Sequence, residues 1–293
     1  MRCLRPRLPA PSFCTGQNIG QVPAPLPHRT RPSLRADSAA RLAIDTFTPA
    51  PDQLDPPNRL GQLLVSGGGH LRAGDGWPAR RIAIFGATLG RCGGEAMWQL
   101  LREGHKVTVL ARRMPAYSFE HPHLTVVQGD VCDPEAVYRT VRGSDGVLIA
   151  LGVSAGGAPS QLDVCSVGTA NILLAMGRAA VKPVACISAY GVGSTRDMAS
   201  PWVRLANWGN RAMLADKEVQ EQLVRDSDRD WTILQPRQLT TRNVDAVYHV
   251  SPAGYSMSAQ VARRNVADFA CRQLLMPTQD RQSVVLSDTR LSP

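Results

Sequence analysis

The run Arg81-Ile-Ala-Ile-Phe-Gly-Ala-Thr-Leu-Gly-Arg-Cys-Gly-Gly94 decides how this 293-residue chain is read. A short apolar stretch, Ile82 to Phe85, breaks into glycines and then into a helical pattern. Met97, Leu100 and Leu101 recur at helical spacing, and Gly104 stops the pattern. A second apolar run, Val107 to Ala111, follows at once. Strand, glycine turn, helix and strand within about thirty residues is the βαβ unit that receives a dinucleotide. Gly86 permits the tight turn, Gly90 lets backbone approach a pyrophosphate, and Gly93 lets the helix lie close to the sheet. The free N–H groups at the helix start face the phosphates. The glycines read G-x-x-x-G-x-x-G, one residue longer than the usual turn. Either Leu89 is an insertion or the loop has another shape. The plainer alternative is a strand-to-helix turn that binds no nucleotide.

Downstream the alternation continues. Leu124 to Val127 reads as a third strand ending at Gly129-Asp130, and Asp133-Pro134 opens a helix that turns Ala136, Val137 and Val141 inward. Gly146 to Leu151 is continuously apolar, as a central strand covered on both faces should be. After a small-residue loop, Gly152 to Pro159, a helix is expected from about Gln161 to Ala180 and a strand over Pro183 to Ser188. A helix over Arg211 to Arg225, a strand over Trp231 to Leu234, a helix over Val261 to Leu275 and a strand over Ser283 to Leu286 complete the domain. The pattern predicts an α/β, Rossmann-like, doubly wound parallel sheet with helices on both faces. Ligand should bind at the carboxyl ends of its strands.

Residues 79–290 would form that domain. Residues 1–78 read differently: the first eighty residues hold more than half of the 22 prolines, and no lysine. Such a composition is expected to stay largely disordered. Its arginines resemble an organellar transit peptide, although the prolines oppose an amphipathic helix. A basic tail for an acidic partner is a second reading. The third, which we favour, is a start assigned too far upstream, because translated GC-rich non-coding sequence has this character.

The net charge of +9 owes part of its size to that segment. Within the domain, basic residues are scattered among acids with no basic stripe, so no nucleic-acid partner is expected. The seven cysteines include no C-x-x-C pair and no metal spacing, which suits reduced thiols in the cytoplasm. No apolar run approaches the roughly 20 residues of a membrane span. No membrane partner and no metal are therefore expected.

The strand ends carry the candidate chemistry. Arg112 and Arg113 end the second strand, where an NAD-specific site would place an acid. A guanidinium there suits a 2′-phosphate, and Arg91 in the glycine loop would close on it. Solvated arginines are the alternative. Asp130 would accept from the adenine amino group or serve as a turn residue, and Gly152 leaves room for the dinucleotide to cross the sheet. Ser188 would donate to a reacting oxygen or cap its strand. Lys217 would bond the nicotinamide ribose hydroxyls or pair with Glu221 at i+4.

From Arg81 to Asp288 the chain resembles the atypical short-chain dehydrogenase/reductase group, above all its biliverdin reductase B (flavin reductase) and NmrA-like branch. The segments that carry the resemblance are Ile82 to Thr88, Val107 to Arg112, Val127 to Val131, Ala150 to Gly152, Cys186 to Tyr190, Asp216 to Glu218 and Asp230 to Pro236. The resemblance implies NADP(H) held by Gly86, Thr88, Gly90, Arg91, Cys92 and Arg112. Asp130 and Val131 would hold its adenine, and Ser188, Lys217 and Pro236 would surround the nicotinamide. The chain departs from the group in the extra Leu89 and in Arg237, where many relatives have a small residue or histidine. It also lacks a Tyr-x-x-x-Lys pair, since Met213 stands four before Lys217. Alcohol oxidation and epimerisation, which need that tyrosine as acid/base, are therefore not expected. Two functions remain: reduction of a small flat acceptor such as a flavin or quinone, or a non-catalytic NADP(H)-binding redox sensor that docks a protein. Trp202, Trp208, Tyr248 and Tyr255 are expected either to stack on such an acceptor or to pack a small lid.

Overall fold

The computed structural model describes residues 63–65, 72–73, 78–114, 117–152, 163–198, 211–241, 247–252 and 254–289. The elements in chain order are β1 (Leu63–Val65), β2 (Arg81–Phe85), α1 (Cys92–Arg102), β3 (Lys106–Ala111), β4 (Leu124–Gln128), α2 (Pro134–Val141), β5 (Gly146–Ile149), α3 (Val164–Arg178) and β6 (Pro183–Ile187). They continue with α4 (Arg211–Arg225), β7 (Asp230–Pro236), β8 (Gln238–Thr240), β9 (Tyr248–Ser251), β10 (Gln260–Ala262), α5 (Arg263–Leu275) and β11 (Gln282–Asp288).

Among the described residues nine strands form one sheet in the order β1-β9-β11-β7-β6-β5-β2-β3-β4. The run from β4 to β11 is parallel throughout. β9 and β1 add on antiparallel at the far edge. Alternation along β2 builds the two cores: Ile82 and Ile84 face one layer, with α1 and α5, while Ala83 and Phe85 face the other, with α2, α3 and α4. The helix start expected at Asp133 is present, its carboxylate accepting from the Glu135 N–H. β2 has β3 on one side and β5 on the other, so chain order reverses there and a crevice opens above their carboxyl ends.

Three features differ from the sequence reading. The sheet takes β1 from upstream of residue 79, and the Ala73 N–H bonds the Glu103 carbonyl at 2.8 Å. Of the segment 1–78 expected to be largely disordered, residues 63–65 and 73 thus bond to the domain, while 1–62, 66–71 and 74–77 lie outside the described residues. The short strands β8, β9 and β10 were not anticipated; β8 and β10 pair with each other as a separate ribbon. Finally, Tyr248 is core: it is fully buried, donates to the Asp268 carboxylate at 2.6 Å and meets Phe269 edge-on. It is not available to stack on an acceptor. Tyr255 is exposed, and Trp202 and Trp208 lie outside the described residues.

Candidate dinucleotide and acceptor site

Gly86 ends β2 with φ +91°, and a side chain there would run into the Ala150 carbonyl at the end of β5. The Arg91 N–H returns to the Thr88 carbonyl at 3.1 Å, closing a β-turn whose third residue, Gly90, has φ +72°. The extra Leu89 is the second residue of that turn and points to solvent. The turn thus absorbs the insertion, and the loop still delivers the chain to α1. A Cβ on Gly93 would lie 2.5 Å from the Gly86 carbonyl oxygen, so only glycine lets the helix start this close to the strand. No side chain caps α1 at Arg91, which leaves its first-turn N–H groups and positive dipole end toward the crevice. Among the described residues nothing lies within 4 Å of a Cβ built on Gly90 or Gly152, the two positions over which a dinucleotide would pass.

Cys92 heads α1 with its thiol in the core. Burial pushes its pKa up to about 11, partly offset by the charge of Arg263. Any contact it makes with a phosphate would run through its N–H. Arg263 was not singled out from the sequence. Its position one residue beyond β10 becomes meaningful only once α5 is packed against α1.

Arg112 and Arg113 follow β3 directly, beside the end of β2, and both are exposed without a partner among the described residues. Exposed Arg91 is likewise unpaired among them. Tyr117 is a second residue missed in the sequence. Its hydroxyl donates to the Ala87 carbonyl at 2.8 Å, while its ring meets Phe119 at 5.4 Å, and Phe119 stacks on Trp98 of α1 at 4.4 Å. This tie fastens the β3–β4 loop to the glycine turn. Burial pushes the phenol up to about 12, so it remains a donor at neutral pH. The Tyr117-Ser-Phe119 spacing opposite an exposed Trp98 was the available signal.

Asp130 behaves as a turn residue: its carboxylate accepts from the Cys132 N–H at 2.9 Å and its carbonyl from the Asp133 N–H at 3.0 Å. The group is exposed at the sheet end. Val131 is buried against α3 and accepts from the Asn171 amide at 3.0 Å.

At the end of β6, Ser188 is 5% exposed and its hydroxyl has no hydrogen-bond partner among the described residues. Its N–H is engaged by the Leu234 carbonyl at 2.8 Å, so the backbone is fixed while the side chain waits for a partner. Lys217 on α4 is used differently from either expectation. Its ammonium donates to the Ile187 carbonyl at 3.0 Å, the Leu151 carbonyl at 3.2 Å and the Gln220 side chain at 3.2 Å. All three N–H donors are committed to protein. Glu221, the expected i+4 partner, instead bonds Arg225 and Gln235. Lys217 therefore ties the chain just past β5 to the end of β6, at the residue before Ser188. The neighbouring Asp216 accepts the Cys165 and Ser166 N–H groups at 2.8 and 2.9 Å and so caps α3 from α4. Pro236 is buried, and its carbonyl accepts from the Tyr190 N–H at 3.1 Å. The Tyr190 hydroxyl donates to the Met198 carbonyl at 3.1 Å, and its ring lies beneath the Arg237 guanidinium.

Among the described residues, the glycine cradle, the space over Gly90 and Gly152, unpaired arginines at one end and an orphaned buried hydroxyl at the other fit a dinucleotide cofactor. Gly86, Gly90, Gly93 and the α1 N–H groups would hold its pyrophosphate. Among the described residues no group of His, Cys, Asp and Glu has metal-binding geometry, and no helix is long and apolar enough to cross a membrane.

Comparison with known proteins agrees. A family model described as NAD(P)H-binding matches residues 86–277. The anaerobilin reductase ChuY from Escherichia coli O157:H7 is similar at 19% identity and TM-score 0.61, covering 73% of this chain and 99% of that one. The oxidoreductase YlbE from Lactococcus lactis is similar at 20% identity and TM-score 0.61, over 72% of this chain and 92% of its own. A short-chain dehydrogenase/reductase from Veillonella parvula, solved with NADP, is similar at 20% identity and TM-score 0.56, over 71% and 94%. At these identities the structural likeness establishes the fold.

Proposed function

The chain belongs to the NAD(P)H-binding family, with an atypical short-chain dehydrogenase/reductase fold, and on that premise we propose an NADPH-dependent reductase of a flat, conjugated acceptor of flavin or quinone type. One observation carries the reading. Among the described residues the Ser188 hydroxyl is buried and unpartnered, at the strand end where the nicotinamide would lie, with no acid/base bonded to it. Met213 occupies the helix position of the missing tyrosine, Lys217 has spent its donors on carbonyls, and the Tyr190 hydroxyl is engaged by Met198. A flat conjugated acceptor tolerates that arrangement because it can take its proton from water.

Bound in this crevice, NADPH would supply a hydride from its nicotinamide ring. The protein would bind and orient. Arg112 and Arg113 would pair with the 2′-phosphate, and the α1 N–H groups with the pyrophosphate. Ser188 would donate to the reacting edge of the acceptor or to the cofactor amide. Lys217 would hold the β5 and β6 ends at fixed separation so that Ser188 keeps its position. That the anaerobilin reductase and the oxidoreductase above share the fold supports a small-molecule acceptor. Five described cysteines are unpaired, which supports a reducing, cytoplasmic setting.

The missing tyrosine also favours a second reading, a non-catalytic NADP(H)-binding redox sensor that docks a protein partner. Stopped-flow NADPH oxidation with flavin mononucleotide and with small quinones separates the two. Turnover supports the reductase; tight NADPH binding with no turnover on any acceptor supports the sensor.

A further inference from the structure

We propose that Arg237 selects the acceptor, and that the acceptor carries a carboxylate on its conjugated frame; this deepens the reductase reading and rests on it. The geometry begins with the β6–β7 ladder. Ile187 pairs with Leu234, so Ser188 falls beside Gln235, and Tyr190 beside Arg237. Val184 and Cys186 of β6, and Trp231 and Ile233 of β7, face the α4 layer. Strand alternation carries Ser188, Tyr190 and Arg237 to that same face. The Arg237 guanidinium carbon lies 4.1 Å from the centre of the Tyr190 ring, in agreement with that register.

Among the described residues Arg237 is a cation without an anion. Its Nε is buried and has no hydrogen-bond partner, and no carboxylate pairs with it among the described residues. The acids on the neighbouring helix are already committed: Glu221 to Arg225 and Gln235, and Glu218 to Arg196 and the Gly193 N–H. A desolvated guanidinium donor with no acceptor is costly, and the cost is relieved when a ligand brings one. Stacking on Tyr190 occupies the face of the guanidinium and leaves its in-plane donors, the fork that matches a carboxylate.

The second orphaned donor on this face is the Ser188 hydroxyl, itself 5% exposed. Ser188 and Tyr190 are two residues apart, about 7 Å along an extended chain. A rigid conjugated molecule spans that gap, its reducible edge at Ser188 and its carboxylate at Arg237.

The test is equilibrium titration, by calorimetry, of the full chain loaded with NADP+. The ligands are anthraquinone-2-carboxylate and its uncharged methyl ester. The carboxylate should bind about tenfold or more tightly than the ester, as a charge-assisted pair implies. Arg237→Met and Arg237→Gln should level the two affinities, while Arg237→Lys keeps part of the preference. NADPH affinity should stay within about twofold in every variant, which reports that the site is folded. Equal affinities in the wild type, no binding of either ligand, or a preference that survives Arg237→Met would overturn the proposal. Binding is read apart from turnover. Failure of NADPH oxidation would thus remove the reductase reading, whereas the carboxylate preference would stand or fall on the titration.

Discussion

Replacing Lys217 with methionine separates a structural clamp from a cofactor ligand and from an acid/base. The ammonium makes three contacts of 3.0–3.2 Å, two of them to the carbonyls of Leu151 and Ile187 at the ends of adjacent strands. Methionine keeps most of the side-chain volume, so the cavity contribution is small. Two carbonyls lose a charged donor, at about 1–3 kcal/mol each. Relief of the buried ammonium offsets part of that loss, because burying an ion is itself unfavourable by several kcal/mol. The net destabilisation should be about 2–4 kcal/mol, a fall of roughly 5–15 °C in Tm for a domain of about two hundred residues. Differential scanning calorimetry and urea unfolding measure it, with NADPH titration in parallel. Lys217→Met should show a clear loss of stability with a smaller loss of NADPH affinity, through displacement of Ser188. An unchanged Tm with NADPH affinity abolished would make Lys217 a ribose ligand and refute the clamp. Unchanged Tm and affinity with turnover abolished would make it an acid/base.

Three further outcomes are expected. Ser188→Ala should lower reductase turnover by about tenfold with NADPH affinity nearly unchanged, since the hydroxyl orients and polarises rather than transfers the hydride; steady-state kinetics showing no change in kcat would count against its role. A chain beginning at Pro78 loses β1 and the Ala73 contact, exposing the β9 edge; calorimetry and size-exclusion chromatography should show a lower Tm and more self-association, and an unchanged Tm would mean that β1 adds nothing. His249 is buried with both ring nitrogens unpartnered among the described residues, and burial lowers its pKa below the ordinary 6.5. Below pH 6.5 the unfolded chain takes up a proton that the folded chain refuses, so stability falls with pH, by at most about 1.4 kcal/mol per unit from this group. Urea midpoints at pH 7 and pH 5 should converge in His249→Gln, and an undiminished acid slope would exclude His249 as a source.

What the sequence revealed follows the length of the signal. Ile82 to Phe85, Gly146 to Ile149 and the Asp133-Pro134 start were legible because burial period, continuous apolarity and cap chemistry are local. Leu63–Val65, Gln238–Thr240 and Gln260–Ala262 are three residues each, too short to show a period, and exist because a neighbouring strand offers its edge. Within the site, the glycine turn was legible as a motif, and the adjacent Arg112 and Arg113 were legible as candidates at the end of β3. Lys217 was located but its partners were not, since Leu151 and Ile187 approach it only after the sheet has formed. Tyr248 read as a loop aromatic because nothing local reveals the Asp268 carboxylate twenty residues on.

The most direct measurement is fluorescence titration of the wild-type protein with NADPH and with NADH, repeated on Arg112→Asp. If the carboxyl ends of β2 and β3 hold a 2′-phosphorylated dinucleotide, NADPH binds the wild type about tenfold or more tightly than NADH, from one charge-assisted guanidinium–phosphate contact. In Arg112→Asp the preference shrinks or reverses, because the new carboxylate repels a 2′-phosphate and accepts from a 2′-hydroxyl. Equal wild-type affinities for the two cofactors, or an NADPH preference untouched by Arg112→Asp, would contradict the account.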